Sequence, residues 1–216
     1  SFLLPYVEQG NLFRQINFAL PVASPSSEAI RLTPIPLYSC PGDGKAGVYF
    51  VLDLHGTNLM QAATNSYAAC FGDSAELSWN PDRGNGVFFQ NSRVRIADIT
   101  DGTSTTIALG ERASFFAKAP WAGTITGGTV RTTPGAPVFR STFHPPQMMP
   151  LVRIGRKALH DPFSEPYDFY SPHGERIHFV YSDGSARVAR TKMEVSVLRA
   201  LSTRSGGEVV SGDAMD

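Results

Sequence analysis

The chain has 216 residues, with 19 Lys and Arg against 19 Asp and Glu. It is long enough to bury a substantial core and lacks the basic excess that nucleic acid or an anionic membrane surface would demand. Charged residues make up only 18%, beside 20 Gly and 16 Pro, which excludes a long-helix protein and points to short strands joined by many turns.

In chain order, Pro5 opens a stretch to Ala19 with apolar Leu12, Phe13 and Ile16, which predicts a short amphipathic helix. Ser1 to Leu4 reads as the middle of an element, so a segment upstream is expected. Ser26 and Ser27 precede a helical turn at Glu28. Cys40-Pro-Gly-Asp43 is a turn, and strands are expected at 48–53, 65–71, 86–89 and 105–109, each bounded by turn formers. Residues 117–172 hold nine of the sixteen prolines and read as an irregular surface excursion within a single head domain, with strand composition only at 124–133. The end is better defined. Arg176–Tyr181 and Ala186–Arg190 flank Asp183-Gly184, the sequence of a tight hairpin turn that needs positive φ. Thr191 is placed to cap a helix over 192–201 with a stripe of Val195, Leu198 and Leu201. The fold class expected is α+β: a mainly antiparallel sheet, a short N-terminal helix, and a C-terminal hairpin plus helix. No apolar run approaches the roughly 20 residues of a membrane-spanning helix, so the residues given predict a soluble chain.

Common catalytic patterns are absent: the sequence holds no G-x-S-x-G, no H-E-x-x-H and no phosphate-binding glycine loop. The candidates that remain are dispersed. His144, His160 and His173, with Asp161, Glu165 and Asp168, are ligand types able to meet on a metal if the 117–172 stretch folds back on itself; as solvated loop residues they would do nothing chemical. Asp43-Gly44, Asp101-Gly102 and Asp183-Gly184 could present oxygens to Ca²⁺, although turn formation accounts for them equally. Glu111, after a predicted strand, is the acid expected to be partly buried, with Arg112 as its partner. As a general acid or base it would require a second carboxylate at a defined distance, and a hydrolase would need His173 or His144 within hydrogen-bond reach of a Ser or a carboxylate. Cys40 and Cys70 are open to two readings: a disulfide contributing on the order of 3 kcal/mol, or two small buried thiols. Trp79 and Trp121 fall in loops, where an exposed aromatic would mark a glycan or protein contact.

His173 followed by nine residues and then Asp183-Gly184 resembles the signature of the prepilin-type processing-associated H-x9-DG family, also labelled solute-binding-like. Further blocks are similar to that family's and stand in its order: Leu3 to Leu12, Cys40-Pro-Gly-Asp43, Asn65-Ser-Tyr-Ala68, Gly86 to Phe89, Ile99 to Ser104, Gly110-Glu-Arg112 and Leu201 to Glu208. The resemblance implies a pseudopilin-like head whose leader and hydrophobic N-terminal helix are missing from the residues given. It further implies export to the periplasm or cell surface, anchoring only through that helix, and other pilin-like subunits as partners. For His173, Asp183 and Gly184 it implies recurrence rather than a reaction: His173 is expected to orient the loop entering the hairpin, and Asp183 to make the turn. Three roles follow as expectations, namely a structural or assembly subunit, an extracellular binding module for glycan, peptide or calcium, and an exported hydrolase using the loop histidines and Glu111. The first is preferred, with no cofactor expected.

Overall fold

Two runs of alternating residues around Asp183-Gly184 make a hairpin. Strands over Arg176–Tyr181 and Ala186–Arg190 pair antiparallel from Arg176↔Arg190 to Val180↔Ala186, and Gly184 takes φ +86° in the turn. In the computed structural model, which describes residues 1–78, 80–140 and 150–208, this hairpin forms one side of a five-stranded sheet. Numbered along the chain, the strands are β1 (Val48–Leu52), β2 (Asn58–Ala63), β3 (Tyr67–Cys70), β4 (Ile107–Glu111), β5 (Leu151–Val152), β6 (Arg176–Tyr181) and β7 (Ala186–Arg190). The main sheet runs β5-β3-β4-β6-β7, antiparallel except where β5 joins β3, and β1 and β2 form a separate antiparallel pair. With three short α-helices among the described residues, α1 (Gly10–Gln15), α2 (Glu28–Leu32) and α3 (Val195–Ser202), the fold is α+β with mainly antiparallel sheets.

The period-two alternation of these strands gives the main sheet two different faces. On one, Ala68, Cys70, Ile177, Phe179, Tyr181 and Ala189 pack under Leu198 and Leu201 of α3 and against Val152, Ile154 and Phe169. Gly110 sits in this layer because a Cβ there would lie 2.6 Å from the rings of both Phe169 and Phe179, which meet edge to face. Gly110→Ala should therefore destabilise the protein by about 1–3 kcal/mol through overpacking, read as a lower urea midpoint at unchanged slope. The opposite face carries Tyr67, Ala69, Leu109, Glu111, His178 and Val180, and it holds the site described below.

Several local expectations are redrawn by tertiary contacts. The N-terminal helix is interrupted: a 3₁₀ turn over Leu4–Val7 ends at Glu8, whose φ is +60°, before α1 begins. Residues 86–89 are not a strand. The Gly86 and Phe88 amides instead donate to the carbonyls of Phe71 and Cys70, where Gly86 lies against the Gly72 backbone too closely for any Cβ. β2 has no prior signal in Asn-Leu-Met-Gln-Ala-Ala and exists through its register with β1. Thr191 does not cap α3; its amide continues the hairpin ladder to the Glu175 carbonyl, and Glu194 occupies the cap position.

The 117–172 stretch is irregular but not superficial. Among its described residues, Trp121, Ile125, Val130, Val152, Ile154, Tyr167, Phe169 and Tyr170 are all buried. They are isolated among prolines, so they carry no period, yet each finds a place in the core. Cys40 and Cys70 are unbridged and buried. Cys70 lies on the α3 side of the sheet, 3.9 Å from the Ser202 carbonyl, and burial pushes its thiol up to about 12. Cys40 faces the other side. The sheet between them rules out the bridge.

Candidate functional site

Glu111 ends β4 on the face away from α3 and is only 2% exposed. The register Tyr67↔Glu111 on one side and Gly110↔Phe179 on the other sets Tyr67, Glu111 and His178 in one row across β3, β4 and β6. Arg112, one residue further on, turns to the other side and donates to the Pro166 carbonyl at 3.4 Å, so the partner expected for Glu111 is replaced. Strand neighbours point to opposite faces, and the groups that meet Glu111 come from elsewhere in the chain.

The two carboxyl oxygens are used differently. Oε2 accepts the Ser171 hydroxyl at 2.7 Å and the His178 amide at 2.8 Å, with His178 Nδ1 at 3.2 Å. Oε1 faces His173 Nε2 at 3.1 Å and the Cys40 thiol at 3.7 Å, and that thiol lies 3.2 Å from the same His173 nitrogen. The sulfur, nitrogen and oxygen donors of Cys40, His173 and Glu111 thus fall within 4.8 Å of one another. Burial raises the Cys40 thiol, with the neighbouring Glu111 and Asp43 adding to the rise against a hydrogen bond from the Gly42 amide. Burial likewise takes Tyr67, beside Cys40, up to about 12.

The Cys40-Pro-Gly-Asp43 turn is built for this place. A Cβ on Gly42 would come within 2.8 Å of the His173 ring, so glycine is what admits the imidazole. Asp43 Oδ2 accepts the Ser66 hydroxyl at 2.7 Å and the Ser114 amide, and Oδ1 accepts the Phe115 amide at 3.2 Å. The turn is thereby bound to the start of β3 and to the segment after β4. Four of the sequence blocks quoted above, around Cys40, Ser66, Glu111 and His173, converge here.

A groove of about 720 Å³ runs from this cluster along the sheet, lined by Leu3, Val7, Leu37, Leu109, Trp121 and Val180 among others. Glu111, His173 and His178 stand at its polar end. A second concavity of about 610 Å³ is lined by Lys45, Lys118, Arg131 and Arg140 with Tyr49 and Phe50. Among the described residues its lining includes no carboxylate and no histidine, whereas Glu111, His173 and His178 line the first groove.

The other sequence candidates do not join the cluster. His160 stacks on Tyr170 with ring centroids 4.1 Å apart and accepts the Ser171 amide at 3.0 Å; burial lowers its pKa, so it orients the loop that carries Ser171. Asp161 accepts the Phe163 amide within its own turn. Glu165 pairs with Arg153 at 2.7 Å and Lys157 at 3.4 Å, and Asp168 lies 4.0 Å from Lys157, with burial lifting the Asp168 carboxyl to about 6. Asp183 accepts the Ser185 amide at 2.8 Å in the hairpin turn, and Asp101 accepts the Gly206 and Gly207 amides. Backbone amides donate to all three Asp-Gly carboxyls, and the Ser66 and Thr203 hydroxyls add to Asp43 and Asp101. Trp121 is buried, donating its indole N–H to the Thr33 carbonyl at 2.8 Å. His144 and Trp79 lie outside the described residues.

His178 and Ser171 were not singled out by the sequence. The alternation of β6 places residue 178 on the face of residue 180, but only the β4–β6 register brings it to Glu111. His173 and Asp183 are separated by the length of β6, about 20 Å for six residues, so the two ends of the H-x9-DG motif serve different places: an imidazole beside a buried acid, and a turn.

The fold and this cluster define an α+β domain whose antiparallel sheet carries a buried carboxyl group between imidazole, hydroxyl and thiol side chains. The chain belongs to the family described as "Protein of unknown function (DUF1559)", labelled SBP_bac_10, which it matches over residues 1–195. No curated protein and no solved structure matches it.

Proposed function

We propose that this chain is the displayed head of an exported pseudopilin-like subunit with a structural or assembly role at the cell envelope. The observation that carries the reading is the apolar groove on the face of the sheet opposite α3. A sheet with one face packed under a helix and an apolar strip on the other is suited to receive a second helix there. The resemblance to prepilin-type proteins supplies one, the hydrophobic N-terminal helix, and Leu109 and Val180 lie where such a helix would rest. Neighbouring subunits would then meet through the helices, leaving the hairpin and its Asp183 turn displayed. The hydrogen bonds of Glu111 and Asp43 tie the Cys40 turn, β3, the segment after β4 and β6 together beneath the groove.

The test uses the natural full-length gene product in its own cell. It is expected in the envelope fraction and in material sheared from the surface, and Val180→Asp, on the groove floor, should abolish its incorporation while the head alone still unfolds cooperatively. A full-length product found in the cytosol, or a V180D protein assembled as well as wild type, would sink the proposal.

A further inference from the structure

The cluster of Cys40, Glu111 and His173 has a geometry that a hydrogen-bonded relay does not explain. In a thiol–imidazole–carboxyl relay the thiol meets one ring nitrogen and the acid the other. Here both meet His173 Nε2, at 3.2 and 3.1 Å, while the Nδ1 side of the ring turns toward Gly42. Three donor atoms around one empty centre are the arrangement of metal ligands. Tetrahedral zinc, with bonds of about 2.3 Å to sulfur and about 2.0–2.1 Å to nitrogen and oxygen, sets its donors roughly 3.3–3.6 Å apart. The three separations, 3.1, 3.2 and 3.7 Å, each depart from those spacings by less than about 0.4 Å, so small side-chain shifts would seat the ion.

The surroundings agree. Oε2 of Glu111 is already occupied by Ser171 and by both the amide and Nδ1 of His178, which directs Oε1 to the centre; ligating carboxylates are characteristically held in this way. A thiolate and a carboxylate balance a divalent charge, which a buried cation requires. From these observations we infer that Cys40, His173 and Glu111 bind one zinc-like transition-metal ion, with a fourth position open to the groove. Cys40 binds as the thiolate and its proton leaves to solvent. Imidazole and thiolate select such a metal over calcium or magnesium. The inference does not depend on what fills the apolar part of the groove.

The experiment takes the purified chain, stripped with a chelator and kept reduced by a phosphine, and titrates it with Co²⁺ as the spectroscopic stand-in for Zn²⁺. One equivalent should produce a near-ultraviolet sulfur-to-cobalt band, bleached by Zn²⁺, and Zn²⁺ should raise the melting temperature. Cys40→Ser should abolish the band, and Cys70→Ser should leave it. His173→Gln, a change at a partly exposed ring, should weaken Co²⁺ binding beyond about 100-fold; His178→Gln should weaken it by the roughly 10–100-fold typical of groups that orient a ligand. A folded wild-type chain that shows no sulfur-to-cobalt band overturns the inference. So does a band that survives in C40S, or Co²⁺ affinity unchanged in H173Q.

Discussion

Replacing Glu111 by alanine should cost about 3–5 kcal/mol of stability, the range for removing one member of a buried polar or charged set. The reason is the number of groups that lose their partner at once. The Ser171 hydroxyl, the His178 amide and the Cys40 thiol all point at this carboxyl, and each donor left buried without a partner costs about 1–3 kcal/mol. These groups lie on separate segments, so their loss loosens the turn at Cys40, the loop at Ser171 and the start of β6 together. Glu111→Gln keeps the shape and one acceptor oxygen but turns a donor toward groups that also donate, so about half the loss is expected. Urea unfolding in the presence of a chelator, which removes any metal contribution, measures both variants. A loss below about 1 kcal/mol for E111A would mean that the carboxyl group does not hold these segments.

Asp43→Ala should be the next most damaging change, at about 2–4 kcal/mol. The side chain is 4% exposed and accepts from the Ser66 hydroxyl and the Ser114 and Phe115 amides. Two of those donors are backbone groups with nowhere else to turn. Asp43→Asn preserves the volume but sets an amide N–H against one of them, and a smaller loss is expected. Asp43 and Glu111 both fix the Cys40 turn, so the E111A and D43A losses should not add; a double-mutant cycle should show coupling of about 0.5–3 kcal/mol. Strict additivity would mean that the two acids anchor independent parts of the structure.

Legibility in the sequence followed how local the cause was. Asp183-Gly184 between two alternating runs contains its own explanation, because turn and register are set within a few residues, and the hairpin stands where it was expected. The apolar stripe of α3 is similarly local. Trp121, Tyr167 and Phe169 are the contrary case: single aromatics among prolines have no period to read, and their burial comes from partners far along the chain. Glu111 was legible as a buried acid, but its partners were not. Adjacent Arg112 was the natural candidate in sequence, yet a strand sends neighbours to opposite faces. The cysteines misled for the same reason, since their spacing permits a loop of reasonable length while the sheet puts one thiol on each side.

By itself the sequence determined the α+β class and the C-terminal hairpin and helix, and it named Glu111, His173 and Cys40 but neither Ser171 nor His178, because propensity, period and turn chemistry act over a few residues. Only the tertiary structure decided which of those residues meet. The pairing of β3, β4 and β6 brings Glu111 to His178, and the buried anchoring of Asp43 carries Cys40 to His173. Contacts across 71 and 133 positions of chain are fixed by strand register and close packing, which no local pattern encodes.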